Sequence, residues 1–353
     1  MVFEMFASPA SANVILAKAR AMYGSHLKAQ NYLDLLGCHS VSEVASYLKN
    51  NTAYATVLAD INESTIHRGY LETLLRRKQF EDYASLSRYD MTVGMHLSRY
   101  LIQRGEIEQI MHCLQLMSAG RTEEFFFAMP QFFASHTALD LVAMSRAKSF
   151  EGLTETLANT PYQAILQQYA PLEDGLIRIT EIENALYARL IRTLFAIVDQ
   201  TGGELHEQLI SLCGAQVDAQ NVTRILRMKR YFHASPDIIR ANLLPGGRAI
   251  PPKLMEKMLQ AASPDEVMAI FRTTAVGRRI PEAQKDLVHD LHLRAPYFTA
   301  RHHIHYSIHP MVVMISYIIL SDVELDDITN IIEGIRYGLP VEEIKPMLVL
   351  VDH

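Results

Sequence analysis

Four histidines lie within eight residues of the sequence, in the stretch RHHIHYSIHP from Arg301 to Pro310. Imidazole nitrogens are common zinc ligands, so a cluster of this density raises the hypothesis of a metal centre. On one continuous helix, His302, His305 and His309 would share a face, because side chains three and seven residues apart point in similar directions. The spacing would therefore suit a metal-binding helical enzyme.

The proline that follows His309 counts against that site. The residue before a proline is disfavoured in the α conformation, so we expect His309 to end one helix or to precede the next. His302 and His305 then remain as a pair, whereas a metal site ordinarily has three or four ligands. His289 and His292 could be recruited to complete it. We expect surface or junction histidines and no bound metal, with a titratable contact near physiological pH as a further alternative.

Other catalytic signatures are missing from the sequence. It contains no G-x-x-x-x-G-K-[ST] phosphate loop, no G-x-S-x-G nucleophile motif and no H-E-x-x-H zinc motif. Gly246 and Gly247 precede Arg248, but we expect them to cap the end of a helix rather than to cradle a phosphate. The sequence therefore predicts no catalytic residue and no cofactor, so the chain is not expected to be an enzyme.

Composition describes an ordinary globular chain. Of its 353 residues, 49% are hydrophobic and 20% charged, and the net charge of −6 gives no support for bulk nucleic-acid binding. Cys38, Cys113 and Cys213 lie too far apart for a zinc pattern or a disulfide framework, which favours a reducing, cytoplasmic location. The sequence begins without the basic region of a secretory signal. The longest apolar run, Pro310 to Leu320, is about half of the roughly 20 residues that span a bilayer, so no direct membrane insertion is expected.

Helix signals occur almost throughout the chain. Ser40 to Glu43 forms a capping box, and Ser235 and Ser263 each precede a proline suited to the first helical position. Only LVLVDH, from Leu348, could form a short strand. The sequence predicts an all-α fold.

Two types of segment recur three times in the same order. Segments of the first type begin at Ser42, Ser149 and Ser263, and within them Thr52, Thr160 and Thr274 lie 108 and 114 residues apart. Segments of the second type begin at Asp90, Asp218 and His309. We therefore predict three divergent helical modules, over residues 1–122, 123–250 and 251–353. An unrelated helical adaptor built as a solenoid is the alternative, although solenoid repeats are usually about 33 to 47 residues long.

The second copy carries a family resemblance. Asp218 to Lys229, DAQNVTRILRMK, followed by LLPGG from Leu243 to Gly247, resembles the most characteristic segment of the central-stalk subunit of V-type and archaeal-type ATPases, which is called C in prokaryotes and d in eukaryotes. Leu16 to Met22 is similar to that family's opening helix, and Gly338 to Pro340 matches its closing segment. The resemblance covers nearly the whole chain. One departure is Asp327, which stands where the family usually has asparagine.

The resemblance implies a funnel-shaped, all-helical subunit of three similar lobes with pseudo-threefold symmetry. Such a protein is peripheral, sits on the cytoplasmic face of the membrane rotor ring, and receives the foot of the central shaft subunits. It would transmit torque between ATP hydrolysis or synthesis and the transport of protons or sodium ions. The family segment also contains a polar and basic run, for which we predict partner contact, with a solvated helix face as the alternative. The residues of this run are Asn221, Arg224, Arg227, Lys229 and Arg230.

Overall fold

The computed structural model describes residues 9–88, 94–128, 130–172, 175–280 and 291–350. All regular secondary structure in these ranges is helical, which confirms the all-α prediction. Residues 348–350 form no strand, and the rest of LVLVDH lies outside the described ranges. The chain divides into two compact units: unit 1 comprises Met1–Met95 and Val198–His353, and unit 2 comprises His96–Ile197. The three predicted modules, 1–122, 123–250 and 251–353, rest on the sequence repeat and stay a prediction.

The longest helix in the described ranges, Pro310–Arg336, has 27 residues and lies near the end of the chain. The helices up to residue 87 are α1 Pro9–Gly24, α2 Ala29–Leu36, α3 Val41–Asn51, α4 Ala55–Leu58 and α5 Arg68–Ser87. Those that follow, mostly in unit 2, are α6 Gly94–Ser118, α7 Glu124–Ala128, α8 Gln131–Ala134, α9 Leu141–Arg146, α10 Phe150–Thr156, α11 Gln163–Gln168 and α12 Ile179–Val198. The remainder are α13 Gly203–Leu209, α14 Ala215–Phe232, α15 Pro236–Ala241, α16 Pro252–Gln260, α17 Pro264–Thr273, α18 Leu291–Tyr306, α19 Pro310–Arg336 and α20 Val341–Ile344.

Helix α19 is the central element of unit 1. Its residues from Met311 to Leu320 are all buried. Two of them carry hydroxyl groups: Ser316 donates to the carbonyl oxygen of Val312, and Tyr317 donates to Asp82 Oδ2. A helix that is hydrophobic all round belongs in the interior of a protein. Accordingly, α19 packs against α1, α3, α5 and α18.

A second core in unit 1 forms around α14. This helix packs against α16, α17 and α18, and its Val222, Ile225 and Leu226 are buried against Phe271 of α17 and Ala295 of α18. Val222, Ile225 and Leu226 share one face because they lie three and four residues apart. That face fixes the orientation of α14, and with it the direction of the predicted partner-contact residues.

In unit 2, helix α6 carries a buried carboxylate that binds two side chains from other segments. Glu106 is buried, and its carboxylate accepts hydrogen bonds from Thr137 Oγ1 at 2.7 Å and from Tyr162 Oη at 2.6 Å. A Cβ atom on Gly105 would lie 2.8 Å from the ring of Phe133, so glycine is needed here for close packing of α8 on α6.

The helix starts predicted at Ser40, Ser235 and Ser263 are confirmed, and Ser149 caps α10 in the same way. Ser40, Ser149 and Ser263 each accept a hydrogen bond from the backbone N–H three residues later, as does Ser235 before α15. Thr52 and Thr160 then each accept from the backbone N–H of the tyrosine two residues on. In the third copy the hydroxyl of Thr274 accepts from Gly277.

The two tyrosines of the repeat make equivalent contacts in different units. Tyr54 Oη donates to the buried carboxylate of Glu324 at 2.9 Å in unit 1, and Tyr162 Oη donates to Glu106 in unit 2. The third copy has Val276 at this position, which cannot donate. A hydroxyl that satisfies a buried carboxylate contributes more to stability than an exposed one.

Replacement of either tyrosine by phenylalanine should therefore destabilise its unit. We expect Tyr54→Phe and Tyr162→Phe each to cost about 1–3 kcal/mol, because the carboxylate is left short of a donor. Thermal or denaturant unfolding measures this cost, and Tyr70→Phe, at an exposed tyrosine of α5, is the matched control. Stabilities of the three variants that agree within error would contradict the assigned hydrogen bonds.

Candidate functional site

Helix α14 carries all five residues predicted to contact a partner. It continues from α13 through a single π-helical turn, Ile210–Gly214, so residues 203–232 follow one helical path. The helix ends at His233, whose φ of 46° places it in the left-handed region. The reversal there directs the chain into α15 and exposes the final turn of α14.

Asn221 points into the protein. Its side-chain Nδ2 donates to the carbonyl oxygen of Leu244 at 3.0 Å, and its Oδ1 accepts from the backbone N–H of Leu244 at 2.8 Å. One helical turn earlier, Asp218 Oδ2 accepts from the backbone N–H of Ile250 at 2.7 Å. The two halves of the family-like motif, DAQN and LLPGG, are therefore parts of one internal structure.

Burial raises the pKa of Asp218 to about 6, against the opposing effect of the backbone N–H groups of Ala249 and Ile250. A Cβ atom on Gly247 would lie 2.0 Å from Asp218 Oδ1, so only glycine fits beside the carboxyl group. Gly246 and Gly247 lie in a turn after α15 and do not cap that helix, so the expected helix cap is wrong. Close approach to Asp218 is what requires the second glycine.

Arg224 and Lys229 also make internal hydrogen bonds. Arg224 Nη1 donates to the carbonyl oxygen of Asn242 at 3.0 Å. Lys229 Nζ donates to the carbonyl oxygens of Leu259 and Ala261, both at 2.7 Å, where it caps the end of α16. Burial lowers the pKa of Lys229, and the charge of Glu266 opposes this effect. These two cations hold neighbouring segments onto α14.

The remaining two basic residues, Arg227 and Arg230, are exposed. Tyr231 and Phe232 complete the last turn and are 57% and 75% exposed. We call these four residues the α14 tip. Arginine and aromatic side chains are enriched in protein interfaces, where they supply a large share of binding energy.

The aromatic part of the α14 tip was missed by the sequence analysis. The available signal was the placement of Tyr231 and Phe232 between a basic run and a strong helix start at Ser235. Two consecutive helical residues point about 100° apart, so a single buried face cannot take up both rings fully.

The histidine cluster lies at the junction of α18 and α19. His302 and His305 are exposed near the end of α18, whereas His303 is buried. His309 precedes α19 at its N-cap position, as expected from the following proline, and its Nε2 lies 4.0 Å from a carboxylate oxygen of Glu204. Among the described residues, which exclude His289, no group of three or more histidine, cysteine or acidic side chains could hold a metal ion.

Comparison with known proteins gives a match over most of the chain. The family model described as "ATP synthase (C/AC39) subunit" matches residues 15–347. The chain belongs to this family. The C subunit of the A-type ATP synthase of Archaeoglobus fulgidus is 22% identical over 353 residues, with 95% of each chain covered. That of Methanosarcina acetivorans is 23% identical over 353 residues, with 95% of this chain and 92% of the relative covered.

Membership of the C/AC39 family confirms the resemblance to the V- and A-type ATPase proteins. A further relative, the A-type ATP synthase C subunit of Methanosarcina mazei, is 24% identical over 274 residues, which cover 76% of this chain and 69% of the relative. The α14 segment and the loop fixed to it fall inside the matched region. In the described part of this C/AC39 protein, no helix is both long and apolar enough to cross a membrane.

His303 gives this C/AC39 protein a predictable response to acid. Burial lowers the pKa of His303 to about 4, with smaller contributions from the charges of His302 and Arg279. Because the unfolded chain, with an ordinary histidine pKa of about 6.5, binds the proton more readily, stability is lost as the pH falls from about 6.5 towards 4.

We expect His303→Gln to reduce the decrease in the thermal unfolding midpoint between pH 7 and pH 5. His305→Gln removes an exposed histidine from the same helix and should leave the decrease unchanged. If the His303 and His305 variants showed the same pH profile as the unmodified protein, the assignment would be wrong.

Proposed function

We propose that this protein is the non-catalytic central-stalk rotor subunit of a rotary V/A-type ATPase. In this role it docks the shaft subunits onto the cytoplasmic face of the membrane ring and transmits torque between ATP hydrolysis or synthesis and the transport of protons or sodium ions. The observation that carries the proposal is the family match over residues 15–347, together with A-type ATP synthase relatives that align over 95% of the chain.

A coupling role is supported by how the polar groups of the chain are used. Asp218, Lys229 and Glu324 could serve in catalysis in another protein, but each makes hydrogen bonds to the main chain inside its unit. Burial also raises the pKa values of the Cys113 and Cys213 thiols to about 11 and about 12, which keeps both uncharged at neutral pH. These groups stabilise the fold and are not poised for reaction.

Transmission of torque requires a partner surface attached to a rigid element. The α14 tip meets this requirement, because Asn221, Arg224 and Lys229 fix the rest of the helix to two other segments of unit 1, the loop at residues 242–244 and the end of α16. Its exposed Arg227 and Arg230 suit an acidic partner surface. We propose that the α14 tip contributes to one of the docking contacts of this protein. A rotary joint needs a total interface well above the roughly 1,000 Å² of a minimal specific contact.

Affinity purification of the tagged full chain from mildly solubilised membranes of its own source tests the proposed role. We expect the rotor ring, the shaft and the catalytic head subunits to co-purify and to be identified by mass spectrometry. Recovery of the chain with none of these proteins, from membranes in which the ATPase is intact, would contradict the central-stalk assignment.

Charge reversal at the α14 tip should weaken that association. We expect Arg227→Glu combined with Arg230→Glu to reduce recovery of the partner proteins by tenfold or more as salt is raised, because like charges would face each other across the contact. Arg76→Glu combined with Arg77→Glu, at exposed arginines of α5, is the matched control.

Circular dichroism and the unfolding midpoint should show that both double variants remain folded. Equal recovery with the α14 variant and with the unmodified protein would rule out the α14 tip as a contact, while leaving the central-stalk role untouched.

A further inference from the structure

A cluster of basic side chains lies in unit 1, where the turn after α17 meets the second half of α18. The turn is a 3₁₀ segment, Gly277–Arg279, and it packs against both helices. The N–H of Gly277 donates to Thr274 Oγ1 at 3.0 Å, and a Cβ atom on this glycine would lie 2.2 Å from the carbonyl oxygen of Phe271. The turn is therefore closely packed, and it holds Arg279 in a defined place beside α18.

The side chain of Arg279 is anchored on α18 but keeps most of its donors. Its Nη1 donates to Thr299 Oγ1 at 2.7 Å, and Thr299 is completely buried. A guanidinium group has several further N–H donors. Arg279 is exposed and pairs with no carboxylate in the ranges that the structure describes, whereas Arg248 binds both carboxylate oxygens of Asp199. The remaining donors of Arg279 are thus available to a ligand.

Two histidines lie next to this guanidinium group. His303 follows Thr299 by one helical turn on the same face of α18, which places the two Cβ atoms about 5–6 Å apart. It is 8% exposed, and its ring packs against that of the exposed His302 with 5.5 Å between centroids. Among the described residues, none forms a hydrogen bond with the ring nitrogens of His303. A buried polar group without a partner is costly, so His303 requires a hydrogen-bonding ligand or water.

The charges around His303 are all of one sign. Burial lowers the pKa of His303 to about 4, and the charges of His302 and Arg279 contribute to the decrease. No described carboxylate opposes them. His26, another buried histidine of unit 1, differs in this respect, because Glu324 and Asp82 counteract the effect of burial on its pKa. The cluster therefore concentrates positive potential at a place that lacks an acceptor.

We propose that Arg279, His302 and His303 form a binding site for a small tetrahedral oxyanion of the phosphate class. The planar fork of arginine matches two oxygens of such an anion, and each imidazole can donate one further N–H. A tetrahedral oxyanion has enough acceptor oxygens for all three side chains, and its negative charge offsets the repulsion between them. The site is independent of the α14 tip and of the proposed central-stalk role.

Isothermal titration calorimetry of the full-length protein with inorganic phosphate tests the site. In a buffer without other oxyanions, with sodium chloride keeping the ionic strength constant, we expect one saturable binding event. Arg279→Gln should weaken it by about tenfold or more, because charge-assisted hydrogen bonds are lost. Arg278→Gln removes the same charge from the neighbouring exposed residue, which does not contribute to the pKa of His303, and should change the affinity by less than about twofold.

Two calorimetric results would overturn the proposal. The first is the absence of saturable binding by the unmodified protein. The second is an equal loss of affinity in the Arg278 and Arg279 variants, which would show only a general attraction of phosphate to positive surface. Because Arg279 is exposed, we expect its variant to fold, and circular dichroism checks this.

NMR spectroscopy of the histidine ring protons locates the bound anion. The His303 signal, assigned from its loss in His303→Gln, should shift with the same midpoint as the calorimetric titration. His206, whose Nδ1 lies 3.1 Å from the carbonyl oxygen of Val198, is the internal control and should not shift. A stationary His303 signal at saturating phosphate would refute the site. If His303→Gln does not fold, the calorimetric comparison of Arg278 and Arg279 decides alone.

A parallel titration with adenosine diphosphate distinguishes a free oxyanion from the phosphate end of a larger molecule. Binding no tighter than that of inorganic phosphate would assign a free oxyanion to the site. Tighter binding that Arg279→Gln weakens by the same factor would assign the phosphate group of a nucleotide. In both cases the basic cluster binds phosphate oxygens.

Discussion

Buried carboxylates that must find hydrogen-bond donors organise unit 1. Glu324 accepts from the backbone N–H of Leu27 at 2.7 Å and from Tyr54 Oη. Asp327, one turn further along α19, accepts from the backbone N–H groups of Val349 and Leu350. The donors come from segments far away in sequence, since Leu27 and Glu324 are separated by 297 residues. An unsatisfied charge in the interior would cost several kcal/mol, so α19 can be buried only if these segments fold onto it. His26, whose Nδ1 lies 3.3 Å from Glu324, packs in the same contact.

Buried carboxyl groups on two other long helices, α6 and α14, are satisfied in the same way. In unit 2, Glu106 on α6 is satisfied by Thr137 and Tyr162, which follow it in sequence. In unit 1, Asp218 on α14 is satisfied by the loop that contains Ile250. In these two cases a carboxyl group on a long helix binds a part of the chain that follows it in sequence. This common use of a buried acid does not depend on any symmetry between the segments.

Sequence patterns predicted the local structure well, because its causes lie within a few residues. The serine caps of α3, α15 and α17 and the position of His309 outside a helix were all predicted in this way. The inward direction of Asn221 and Lys229 could not be predicted. Helical periodicity places them on α14, but their partners lie 23 to 32 residues away, in segments whose path the pattern does not fix. For the same reason, helical periodicity could not predict that the two ranges on either side of unit 2 combine into unit 1.

Division of the basic run on α14 into inward and outward residues has a physical consequence for binding. Arg224 and Lys229 donate hydrogen bonds to main-chain carbonyl groups. These bonds restrain α14 relative to α16 and to the loop at Asn242. The exposed Arg227 and Arg230 therefore lie on a helix that would lose little conformational freedom when a partner binds. Because ordering of flexible elements is a major cost of association, a surface fixed in advance binds more tightly than the same residues on a mobile segment. The inward cations therefore support any contact at the α14 tip without touching the partner.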